Sequence, residues 1–142
     1  MVLTAPPPAR ERSGSLQFAS TLYFRSVLEF LLDAVPQRWH AEVRLGLQEA
    51  LVNAARHGNN LDPTKKITAE YYVQGDKYTW VISDQGDGIG EYFEGDCAIP
   101  SPLSEQGRGL FILHQIFDRV VWRGHSVYLE KYITPQKHPF IL

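Results

Sequence analysis

The sequence predicts a two-layer α/β sandwich of the α+β kind, with a mixed, mostly antiparallel sheet and helices on one face. Two long stretches carry apolar residues at helical spacing, and several short stretches alternate apolar and polar residues. The strand-like stretches mostly come in hairpin pairs, which favours antiparallel neighbours over parallel crossovers. At 142 residues, with 44% hydrophobic and 21% charged residues, the chain matches one globular domain.

Taken in order, Leu16-Gln17-Phe18-Ala19 alternates and reads as a short strand. Ser20 and Thr21 are suited to cap a helix beginning there. Phe24, Val27, Leu28, Leu31, Leu32 and Val35 then predict an amphipathic helix over 21–35, stopped by Pro36. Val43, Leu47, Ala50, Leu51 and Ala54 form the stripe of a second helix over about 37–57. On that helix Glu49, Asn53 and Arg56 fall away from the apolar stripe. Ile67 to Val73 and Tyr78 to Ile82 alternate around Gln74-Gly75-Asp76-Lys77, a hairpin. A glycine-rich loop comes next, and residues 91–106 show no clean period, the pattern of a lid. Arg108 to Asp118 predicts a third helix with Leu110, Leu113, Ile116 and Phe117 inward, before strands at 120–122 and 126–133. Tyr71, Tyr72, Trp80 and Trp122 are expected to be mostly core-facing.

The expected organisation is a disordered lead-in over 1–14, where Pro6, Pro7 and Pro8 precede a charged run, a domain over 15–134, and an irregular tail over 135–142. The net charge of −2 excludes a strongly basic chain built to coat nucleic acid. Cys97 is the one cysteine, so no internal disulfide forms, which suits a reducing compartment. No apolar run approaches the ~18 residues of a membrane span, and the first residues lack the apolar core of a signal peptide. A cytoplasmic protein with no membrane or direct nucleic-acid role is expected.

Three groups of residues carry chemistry. Glu49 and Asn53 are neighbours at i,i+4, pairing a carboxylate that can accept a proton with an amide oxygen suited to Mg²⁺. The same pair also fits a solvated helix face. Asp84, followed by Gly86, Gly88 and Gly90, puts an acid at a strand end before glycines that let a ligand approach the backbone. Asp84 could accept from an exocyclic amine such as that of adenine, although Asp-Gly turns are common. Gly107-Arg108-Gly109 opens the third helix, where free N–H groups, the positive dipole end and a guanidinium favour phosphate. The alternative there is a hinge joined to a core helix. Together the three groups point to a nucleotide.

In that order they resemble the ATPase superfamily of gyrase, histidine kinases and mismatch-repair ATPases, known as GHKL. Leu47 to Asn59 looks like its N box, Asp84-x-Gly86-x-Gly88 like its first glycine box and Gly107-Arg108-Gly109-Leu110 like its second. Asp84 follows Glu49 by 35 residues and Gly107 follows Asp84 by 23. The His57-Gly58-Asn59 ending is most similar to the anti-sigma factor serine kinases, the RsbW-like branch. The resemblance covers roughly 16–133 and implies the histidine-kinase-like ATPase fold.

That resemblance implies Glu49 as general base, Asn53 as Mg²⁺ ligand and Asp84 as partner of the adenine amine. Gly86 and Gly88 would floor the pocket, and Gly107, Arg108 and Gly109 would contact the phosphates of ATP. The implied activity is ATP-dependent serine/threonine kinase and anti-sigma factor, phosphorylating an anti-anti-sigma partner of the STAS type and sequestering an RNA polymerase sigma factor. Family analogy favours a homodimer. The competing reading is a non-catalytic ATP-binding module that sequesters its target without phosphoryl transfer. One departure is clear: where the family often carries Gly-Thr before the last strand, this chain has Gly124-His125-Ser126. His57 is expected to cap its helix rather than touch nucleotide, and Cys97 to be a bystander. There is no P-loop, eukaryotic kinase signature, Gly-x-Ser-x-Gly or zinc spacing among the five histidines.

Overall fold

The computed structural model describes residues 11–86 and 109–140 in full, and residues 93–94 and 105–108 by their backbone. Six strands form one sheet in the order β1-β2-β3-β6-β5-β4: β1 Arg12–Ala19, β2 Lys66–Gln74, β3 Lys77–Ser83, β4 Phe93–Glu94, β5 Arg119–Arg123 and β6 Ser126–Tyr132. The helices are α1 Arg25–Leu32, α2 His40–Val52 and α3 Glu105–Ile116. This is the α+β sandwich expected. Every described strand pair is antiparallel, so the sheet has no parallel component there.

Strand alternation decides which face meets the helices. Ile67, Ala69, Tyr71 and Val73 of β2 are buried, as are Trp80 and Ile82 of β3 and Val127 and Leu129 of β6. They join Val27, Leu28, Leu31, Val43, Leu47, Leu51 and Leu113 from the helices in one core. Trp80 ties β3 to α1 and to the residue that follows α3. Its indole N–H donates to Leu31 O at 3.0 Å, and its ring meets Phe117 edge-on at 5.6 Å. Tyr72 departs from expectation: the residue after Tyr71 must point to the other face, and it is 46% exposed.

Element ends differ from the sequence reading for local reasons. β1 opens at Arg12, inside the expected lead-in, because pairing with β2 runs from Arg12↔Val73 to Ala19↔Lys66 and needs no apolar side chains at its start. The α1 helix starts four residues later than expected, since Thr21 Oγ accepts from Tyr23 N at 3.1 Å and holds a turn there. The stretch 37–57 divides into a 3₁₀ turn (Gln37–Trp39), α2 and a π-helical turn (Asn53–Gly58). Of the expected lid, Phe93–Glu94 pairs with β5 and Glu105–Gln106 opens α3. Residues 87–92 and 95–104, Gly88 and Cys97 among them, lie outside the described residues, as do residues 1–10. No helix among the described residues is long and apolar enough to cross a membrane.

α2 and α3 pack antiparallel along a stripe set by three positions. A Cβ on Gly46 would stand 2.6 Å from the Phe117 ring, so glycine permits the close approach at one end. Glu49 and Asn53 follow at i+3 and i+7 on the same stripe. The face left free by the apolar stripe is therefore the face that α3 crosses.

Candidate functional site

The antiparallel helix pair delivers the first turns of α3 to Glu49 and Asn53. Gly109 is buried there, and a Cβ on it would lie 3.1 Å from Glu49 Oε2, 3.7 Å from Asn53 Oδ1 and 3.8 Å from Asn53 Nδ2. Both polar side chains are half-buried. Gly107 and Arg108 occupy the same helical start, so backbone from the second glycine box meets the carboxylate and amide from the N box.

Asn53 is also the first residue of the π turn, and Gly58 is its last. The wider turn is closed by the main chain: Asn59 N donates to Ala54 O and Leu61 N to Ala55 O, both at 2.8 Å. This main-chain closure replaces the expected His57 cap, and His57 is exposed. Beyond it Asn60 and Leu61 take left-handed backbone, with φ of 54° and 57°. For a leucine this conformation costs roughly 1–2 kcal/mol. Asp62 then holds the loop by accepting from Thr64 N at 2.9 Å and Thr64 Oγ at 2.6 Å, and these bonds hold its carboxyl below the usual range.

The far end of the π turn touches the first glycine box. A Cβ on Gly58 would fall inside the Asp84 carboxylate, and one on Gly86 would fall on the Gly58 carbonyl oxygen. Asn59, fully buried, locks this contact: its Nδ2 donates to Lys66 O at 2.9 Å and its Oδ1 accepts from Gln85 N at 2.7 Å. Lys66 N in turn donates to Gln85 Oε1 at 2.6 Å. Asn59 stands in the N box, yet sequence reasoning gives it no role. Its signal is an amide beside Gly58, and only its burial shows it to be a latch.

Gly86→Ala is expected to cost about 1–3 kcal/mol, because a methyl meets backbone rather than a side chain that can rotate away. Gly75→Ala is the contrast: its hairpin turn has φ of 61° but nothing within 4 Å of the added carbon. That change should cost about 1 kcal/mol from conformation alone. Urea denaturation of the two variants measures the difference, and equal losses would contradict the contact between Gly86 and Gly58.

Asp84 closes β3 against the β5–β6 turn. Its N–H donates to His125 O at 2.9 Å, and Oδ1 accepts from Gly86 N at 2.9 Å. Its side chain is 16% exposed, and His125 Nδ1 stands 3.7 Å from Oδ1. Ser126 faces Ser83, with the hydroxyls 2.6 Å apart. The Gly124-His125-Ser126 stretch, where the chain leaves the family pattern, thus places an imidazole beside Asp84 and ties the next hydroxyl to β3.

One π turn therefore links two groups, Glu49–Asn53–Gly109 at its start and Gly58–Asp84–Gly86 at its end. Among the described residues, no three His, Cys, Asp or Glu side chains gather as a metal cage. A single amide oxygen and a carboxylate instead suit Mg²⁺, which takes few protein groups alongside phosphate and water. A hollow on the opposite sheet face, lined by Arg119, Val121, Arg123, Tyr128 and Glu130, is separate from these groups.

Comparison with known proteins shows the family. The family described as the histidine kinase-like ATPase domain matches residues 21–131. The chain is 31% identical over 104 residues to an anti-sigma F factor of Geobacillus sp. (strain WCH70), covering 68% of this chain and 71% of that protein. It is 25% identical over 137 residues to the anti-sigma F factor of Geobacillus kaustophilus, covering 91% and 90%. It is 26% identical over 147 aligned positions to the serine-protein kinase RsbW of Listeria innocua, covering 95% and 89%.

Proposed function

This chain belongs to the histidine kinase-like ATPase domain family, and on that premise we propose that it is an ATP-dependent serine/threonine kinase and anti-sigma factor. Its protein substrate is an anti-anti-sigma partner of the STAS type, and its sequestered target is a sigma factor. The names of the relatives support both halves of this reading: one is an anti-sigma F factor, another a serine-protein kinase. Homodimer formation belongs to the same proposal.

The observation that carries it is the seating of Gly109 on Glu49 and Asn53, with Asp84 held at the other end of the same turn. Asp84 accepts from the exocyclic amine of adenine. Gly86, seated on the Gly58 carbonyl, and Gly88 floor the pocket for the base. The first-turn N–H at Gly107 and the guanidinium of Arg108 receive the phosphates, and Gly109, without a side chain, lets that helix start lie close to Glu49 and Asn53. The Asn53 amide oxygen is suited to hold Mg²⁺, which when bound neutralises charge on the phosphate oxygens. Glu49 takes the proton of the partner's serine hydroxyl as its oxygen bonds to the γ-phosphorus and the bond to ADP breaks.

Asp84→Ala tests the nucleotide site. Losing a charged hydrogen bond should cost about 1.5–3 kcal/mol, tenfold or more in ATP affinity. Calorimetric titration measures it. Unchanged affinity would remove Asp84 from the site and with it the placement of the base.

A further inference from the structure

The Asp84 carboxylate is contested within the protein itself. Its Oδ2 packs on Gly58, and its Oδ1 already accepts from Gly86 N at 2.9 Å. A carboxylate oxygen offers two lone-pair directions, so Oδ1 has one left. His125 Nδ1 stands 3.7 Å from that oxygen, too far for a hydrogen bond but within ion-pair range once the ring is protonated. The His125 side chain is 50% exposed on the turn between β5 and β6, so it is free to close that gap. We propose that His125 sets the affinity of the site for its base by contesting Asp84 Oδ1, which makes nucleotide binding proton-linked. This rests on the reading of Asp84 as the partner of the base amine.

The sign follows from the geometry. A protonated imidazole donates to Oδ1 and occupies the position that the amine needs. A neutral imidazole can donate to Oδ1 only in its Nδ1–H tautomer and without net charge, so it contests that oxygen more weakly. Affinity for the base therefore falls as the solution is acidified. By linkage, binding the base expels a proton from His125. Among the described residues, the charged or titratable groups nearest along the adjoining elements are Arg56 and His57 of the π turn, Lys65 and Lys66 at the start of β2, and Arg123 at the end of β5, while Lys77 and Tyr78 of β3, Arg119 of β5 and Tyr128, Glu130, Lys131 and Tyr132 of β6 lie further along their strands. Arg123 sits over the Tyr128 ring at 5.7 Å. His57 is the one other imidazole among these groups, so it is the necessary control.

The experiment measures ATP affinity at about pH 8 and about pH 5.5 for the wild type, His125→Gln and His57→Gln. The nucleotide's own phosphates titrate equally in all three, so the ratio to wild type isolates each histidine. The ratio for His125→Gln is expected to rise by about two- to fivefold at the lower pH, the scale of a half-exposed ion pair. A constant ratio overturns the proposal, and so does a rise seen only with His57→Gln. Wild-type titration with adenosine, which has no phosphate, provides a second readout that needs no variant. At about pH 6, in two buffers of different ionisation heat, proton release is expected, and its absence overturns the proposal. Failure of the nucleotide reading looks different: neither ATP nor adenosine binds the wild type at any pH.

Discussion

Glu49→Ala is expected to lower phosphate transfer to a serine-bearing partner by about 10²–10⁴, the usual worth of a positioned base. ATP affinity should stay within a few-fold of wild type. The split follows from position: Glu49 sits on the α2 stripe facing Gly109, half-buried, one helical turn before Asn53. As a base it acts on the incoming hydroxyl and contributes little to holding the nucleotide. Glu49→Gln keeps the shape beside Gly109 while removing the proton acceptor, so it should lose transfer nearly as completely. Asn53→Ala should behave differently, weakening Mg²⁺-dependent binding and turnover together. Radiolabelled transfer, with ATP affinity measured with and without Mg²⁺, separates these patterns. Full transfer by Glu49→Ala would leave the kinase without its base and make the non-catalytic, ATP-gated binding module the better account.

Glu42→Ala is expected to destabilise the fold by about 3–5 kcal/mol, the range for removing one partner of a buried ion pair. Glu42 is 1% exposed in the first turn of α2, and Lys131 is 7% exposed on β6. Lys131 Nζ lies 3.4 Å from Glu42 Oε2, donates to Ile116 O at 2.6 Å near the end of α3, and stands 4.9 Å over the Trp39 ring. Glu42 Oε1 accepts from Phe140 N at 2.9 Å, which fastens the C-terminal segment. One ammonium thus joins two helix ends to the sheet, at the opposite end of β6 from His125. Removing the carboxylate leaves that ammonium buried with one carbonyl and one ring. Paired replacement, Glu42→Leu with Lys131→Met, should recover much of the loss, because no charge is then stranded. Urea unfolding measures both. A loss under about 1 kcal/mol for Glu42→Ala would mean that water reaches the pair.

Much of the candidate site was legible because its residues are spaced by local geometry. Glu49 and Asn53 share a helical face wherever that helix packs, and Asp84 with Gly86 marks a strand end that must turn. The alternation of Ile67, Ala69, Tyr71 and Val73 likewise decided the buried face of β2 before any partner was known. The same rule, applied strictly, would have sent Tyr72 outward. Lys131 falls on the inward register with Val127 and Leu129, yet periodicity offers no reason to bury an ammonium.

By itself the sequence determined the hairpin-rich sheet, the helical periods and the ordered glycine boxes, since each depends on neighbours a few residues apart. Tertiary structure decided what those pieces meet. The polar start of β1 became a strand because eight residues of β2 lie beside it. The π turn formed where α2 had to end against Asp84 and Gly86, and nothing in Asn53–Gly58 alone specifies a wider helix. Asn59 became a latch, and His125 a neighbour of Asp84, only when strands distant in the chain closed the sheet. Burial supplies the physical reason. A backbone or polar group taken from water must find its partner wherever folding has placed one, and that location is not written in local spacing.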